Sequence, residues 1–133
     1  MSNSAERDTE MANGEAEEDS ADEQELLLGG LEKLVILPGQ TSHAASFQIE
    51  QEDHTLGNSL RYFINKNPDV EFCGYTIPHP SETKMHIRIQ TWEDTPTTAF
   101  DALRKGLEDM IEACDVVTEK FTDARDGFEA SKQ

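Results

Sequence analysis

The stretch Glu52 to Pro80, EDHTLGNSLRYFINKNPDVEFCGYTIPHP, decides the architecture. Asp53 or Thr55 can accept a hydrogen bond from an orphan N–H of a first helical turn, and apolar residues follow at Leu56, Leu60, Phe63 and Ile64. That spacing draws one apolar stripe along a helix. Asn67-Pro68 ends it, because proline disfavours helical geometry in the residue before it. The segment beyond, Val70 to Ile77, is rich in β-formers and reads as a strand.

Outward from this joint, Lys33 to Leu37 (KLVIL) reads as a first strand ended by Pro38-Gly39. In a second strand Ala45, Phe47 and Ile49 point one way and Ser46, Gln48 and Glu50 the other, and the two strands can pair as a hairpin. After a turn over Pro78 to Ser81, Met85, Ile87 and Ile89 alternate with His86, Arg88 and Gln90 in a fourth strand with one buried face. Thr95-Pro96 reads as the start of the last helix, since proline is tolerated in a first turn. Its apolar positions are Phe100, Leu103, Leu107, Met110, Cys114, Val117, Phe121, Ala124 and Phe128, with gaps alternating three and four as in a heptad seam. Ile111, Ala113 and Val116 widen that stripe in the middle. A helix of about 30 residues is roughly 45 Å long, more than a sheet of four short strands covers. The order β-β-α-β-β-α predicts an α+β, two-layer fold, a four-stranded antiparallel sheet with two helices on one face.

Composition narrows the function. The chain has 133 residues and a net charge of −17, from 28 acidic and 11 basic residues, so it repels phosphate backbones and direct nucleic-acid binding is not expected. Residues 1–25 carry 10 acidic residues and one basic one and read as a disordered acidic tail. Ser20, near Asp22 and Glu23, is either a phosphoacceptor or part of a plain solubilising arm. The domain is expected over residues 26–128, opening with a loose apolar turn at Leu26 to Leu31, and residues 129–133 form a C-terminal tail. Two cysteines without a close CxxC partner, no signal-peptide pattern and no long apolar run lead us to expect a soluble protein in a reducing compartment, away from membranes.

DHTLGNSLRY, followed by KNPDVEFCGY and by PHPSE ahead of HIRIQT, closely resembles the smaller α-like subunits of the eukaryotic RNA polymerases, in particular the one shared by polymerases I and III. The resemblance extends over about Phe47 to Phe121. It implies the α-like dimerisation domain without the inserted domain of the larger α-like subunit, and a place in the nucleus, including the nucleolus. It further implies an obligate heterodimer with the larger α-like subunit, on which the large catalytic subunits assemble for transcription of ribosomal, 5S and transfer RNA.

Catalytic chemistry has little support in the sequence. Asp53, His54 and Ser59 can be written as a hydrolytic constellation, but Ser59 lies in the first turns of a helix with no nucleophile-elbow glycines, and capping explains Asp53 and Thr55. Cys73, His79, His86 and His43 lack the paired close spacing of a zinc site. No catalytic, cofactor or metal residues are expected. The glycine in HTLGN lets another helix or backbone approach, and in the family this helix packs on the partner's counterpart, so Gly57 fits that role. Cys73-Gly74-Tyr75 marks a bulge or close approach in the third strand, or a contact for another polymerase subunit. The expected partner interface comprises Gly57, Leu60, Phe63 and Ile64 on the first helix with Leu107, Met110, Ile111, Cys114, Val117 and Phe121 on the last, some of which must instead serve the protein's own sheet. The rival classes are a self-associating homodimeric adaptor and a small hydrolase.

Overall fold

In a computed structural model, residues 32–132 are described; the expected acidic tail, Ser20 and the Leu26 to Leu31 turn lie outside them. Four strands and two helices follow in the order β1 (Leu34–Ile36), β2 (Ala44–Glu50), α1 (His54–Asn65), β3 (Val70–Thr76), β4 (Lys84–Thr91) and α2 (Ala99–Ser131). The strands form one antiparallel sheet in the order β1-β2-β4-β3. Both helices lie on one face of it.

The period-two pattern places the core. Ala45, Phe47 and Ile49 of β2 sit opposite Ile89, Ile87 and Met85 of β4, and all six are buried. Cys73 joins them from β3, Leu60 and Ile64 from α1, and Ala99, Ala102 and Leu103 from α2. Phe100 closes one side, its ring edge-on to Phe47 at 5.5 Å. The register irregularity in β3 falls between Val70 and Phe72, ahead of the position expected from Cys73-Gly74-Tyr75. Gly74 is instead a close approach: a Cβ there would lie 2.9 Å from the tip of the Phe72 ring.

The helix ends follow local chemistry. Asp53 caps α1, its Oδ1 accepting from the Thr55 N–H at 3.0 Å. At the other end the Asn67 N–H donates to the Ile64 carbonyl at 3.0 Å, and the Asn67 side chain accepts from the Asp69 N–H at 3.0 Å, which turns the chain into β3. α2 begins three residues beyond the expected Pro96 start. Thr98 is the cap, because its hydroxyl accepts from the Asp101 N–H at 3.2 Å while the Asp101 carboxylate accepts from the Thr98 N–H at 3.1 Å. Those reciprocal bonds hold Asp101 below the usual carboxylate range. Pro96 lies in the preceding link, which the Thr97 hydroxyl fastens to Asp69 at 2.6 Å. At its far end α2 runs through Ser131, so Glu129 to Ser131, expected as tail, are helical.

Candidate partner interface

α2 is 33 residues long, about 50 Å at 1.5 Å per residue, and only its first third has the sheet beneath it. Ala99, Ala102, Leu103 and Gly106 are buried and Met110 is half-buried against the core. Away from that contact the large apolar side chains stand in solvent: Leu107 is 38% exposed, Ile111 63%, Val117 67%, Phe121 65% and Phe128 61%. Large apolar groups at helical spacing along one rod form a continuous patch of the kind that marks an interface. Full burial of such a side chain is worth roughly 1.5 to 3 kcal/mol, and with roughly 40 to 70% of each exposed, covering these five yields of the order of 5 to 10 kcal/mol before association costs.

The expected site residues divide. Leu107, Ile111, Cys114, Val117 and Phe121 are brought together on the uncovered part of α2. Phe63 is half-buried on α1, its ring edge-on to the exposed Tyr62 at 5.4 Å. Gly57, Leu60 and Ile64 correct the expectation, because all three are buried inside this chain and serve its own core. A Cβ at Gly57 would lie 2.6 Å from the Tyr75 ring, so the close approach there is to this chain's own β3. Met110 sits on the border, packed on the core with part of its surface outward.

Two features escaped the sequence analysis. Gly106 is where α1 and α2 touch: a Cβ there would overlap Cγ1 of Ile64 and approach Cδ1 of Leu60 to 3.4 Å. Glycine has no weight in a hydrophobic count, so the apolar spacing passed over it. Leu34 and Ile36 stand opposite Ile49 and Phe47, on the helix-bearing face, yet are 45% and 43% exposed because neither helix reaches β1.

The polar side chains singled out in the sequence pair with other neighbours. The Ser59 hydroxyl donates to the Thr55 carbonyl at 2.8 Å, while Nδ1 of His54 pairs with the Tyr75 hydroxyl at 2.8 Å. His43 pairs with Thr91, His79 with Ser81 and His86 with Gln48. Burial pushes the Cys73 thiol up to about 12, opposed in part by the Arg61 charge. Among the described residues no group of three or more His, Cys, Asp or Glu side chains could hold a metal ion, and no helix is long and apolar enough to cross a membrane.

A family model described as the RNA polymerase Rpb3/Rpb11 dimerisation domain matches residues 44–120, from the start of β2 to well along the uncovered part of α2. The chain belongs to this dimerisation-domain family. The resemblance carried by DHTLGNSLRY and HIRIQT is thereby borne out. Among similar members, the DNA-directed RNA polymerases I and III subunit RPAC2 of Schizosaccharomyces pombe is 66% identical over 94 residues, which cover 69% of this chain and 74% of the relative. The subunit of the same name from Saccharomyces cerevisiae is 62% identical over 95 residues, covering 69% of this chain and 66% of that one. The crystal structure of DNA-directed RNA polymerase subunit L from Thermoplasma acidophilum superposes with a TM-score of 0.61 at 16% identity, over 73% of this chain and 92% of that one, and supports the α+β fold.

Proposed function

We propose that this chain is the smaller α-like subunit of DNA-directed RNA polymerases I and III, without catalytic residues of its own. It forms an obligate heterodimer with the larger α-like subunit, and that dimer is the platform on which the large catalytic subunits assemble, in the nucleus and nucleolus. One observation carries the reading: the apolar side of α2 from Leu107 to Phe128 is uncovered within the region matched by, and just beyond, the dimerisation-domain model. The similarity to the polymerase I and III subunits of two yeasts supports the choice of complex.

Val117→Asp tests it. Val117 is largely exposed in this chain alone, so a carboxylate there costs the lone fold little, whereas a partner helix would bury that charge without a counterion. Co-expression with a tagged larger α-like subunit should recover the unaltered chain and lose the variant. Equal recovery of both would remove α2 from the interface. Met110→Glu is a poorer probe, because Met110 also packs on this chain's own core.

A further inference from the structure

An apolar stripe attracts any apolar surface; the charges beside it decide which one. Glu108, Glu112 and Asp115 directly follow Leu107, Ile111 and Cys114, so each lies about 100° around the helix on the same flank of the stripe. Glu119, Asp126 and Glu129 continue that column at spacings of four, seven and three, and no basic residue enters it. All six are exposed, and among the described residues only Asp126 has a salt-bridge partner, Arg125 at 3.1 Å. The opposite flank carries Gly106, Met110, Ala113 and Val117, with no charge before Lys120. Over positions 107–131 there are eight acidic and two basic residues.

We infer that the surface completing α2 is a helix of a different polypeptide whose own apolar stripe is bordered on one side by Lys and Arg, and that the acidic column selects it over a second copy of this chain. This deepens the assembly reading above and rests on it. A second copy laid antiparallel sets column against column; laid parallel, it sets the column against a flank without a base before Lys120. Neither arrangement neutralises the acids, and each adds the second copy's own six-residue column to the same acidic interface, where charges closer than a Debye length of about 8 Å are little screened. Charges flanking a helix pair govern partner choice in this way, and like-charge juxtaposition excludes wrong partners.

The test is competition. The full chain and its quadruple variant Glu108→Gln, Glu112→Gln, Asp115→Asn and Glu119→Gln, carrying tags of different mass, compete for a limiting amount of the larger α-like subunit. Four exposed pairs are expected to favour the unaltered chain about ten-fold at about 0.05 M salt, and the preference should fade towards one at about 0.5 M. The substituted side chains are exposed and Gln is a good helix former, so the variant keeps its fold. Equal incorporation at low salt, with Val117→Asp still excluded, overturns the charge inference and leaves the assembly reading standing. No complex with either form at any salt overturns both.

Discussion

Gly106 offers the sharpest test of the packing, because Gly127 in the same helix supplies its control. Replacing glycine by alanine inside a helix gains about 0.5 to 1 kcal/mol from reduced chain entropy and better propensity. At Gly127 nothing lies within 4 Å of an added Cβ, so that gain should appear undiminished. At Gly106 the same methyl overlaps Ile64, which is fully buried. Overpacking of this kind costs about 1 to 3 kcal/mol. The net effect of Gly106→Ala is then a loss of up to about 2.5 kcal/mol, roughly 1 kcal/mol at mid-range, and Gly106→Val loses more. For a domain near 100 residues each kcal/mol moves Tm by roughly 4 to 8 °C, so Gly127→Ala should melt a few degrees higher and Gly106→Ala clearly lower. Thermal unfolding of the full chain by circular dichroism, at one fixed protein concentration, reads both shifts. Equal rises for both variants would refute a tight α1–α2 contact at Gly106.

The two cysteines report on burial and on the interface together. Iodoacetamide at pH 8 should modify exposed Cys114 in the free chain and spare Cys73, whose buried thiol is pushed up to about 12 and stays protonated; in the assembled complex Cys114 should be spared too, and equal labelling there would leave the stripe uncovered. Thr98→Ala should lower stability by about 1 kcal/mol through loss of the cap, measured by urea titration, and no change would deny the capping box. Asp101 adds a pH dependence. Its carboxyl is held below the ordinary value of 3.8, so its contribution is complete above that value and is lost as pH falls through the lower folded one. Asp101→Asn should therefore be destabilising at pH 7, with the gap to the unaltered chain closing in acid below that value; a gap constant with pH would contradict the assignment.

The strand pairing was legible because its physics is local. Met85, Ile87 and Ile89 alternate with polar residues, and one face of a pleated strand must be buried, so the side pointing inward follows from the residues alone. The stop at Asn67-Pro68 and the cap at Asp53 were legible for the same reason. The division of α2 was not. A heptad count merges two stripes offset by about one residue, one facing the sheet through Ala99, Ala102, Leu103, Gly106 and Met110, the other facing outward through Leu107, Ile111, Cys114 and Phe121. Three of the inward residues are small and register weakly on any apolar scale, although smallness is what lets the helices approach. The assignment of Leu60 and Ile64 to a partner failed likewise: periodicity shows that a face is covered, but not by which chain.

The small residues also explain why the outward stripe cannot be withdrawn. Turning α2 by one residue to bring Leu107 and Ile111 onto the sheet would carry Leu103 and Met110 away from the core and place Leu107 where only the hydrogen of Gly106 fits against Ile64. It would also strain the bonds that tie the start of α2 to the rest of the fold, the Thr97 hydroxyl on Asp69 and the Ala99 N–H on the Ser42 carbonyl. The packing losses are of the order of 1 to 3 kcal/mol each and the hydrogen bonds about 1 kcal/mol each, and they fall together, so the helix is locked in rotation by its first three turns. Everything beyond those turns inherits that rotation. The uncovered stripe is therefore a fixed consequence of how α2 is anchored, and a surface locked in this way is already arranged for a partner that adds its own helix without rearranging this chain.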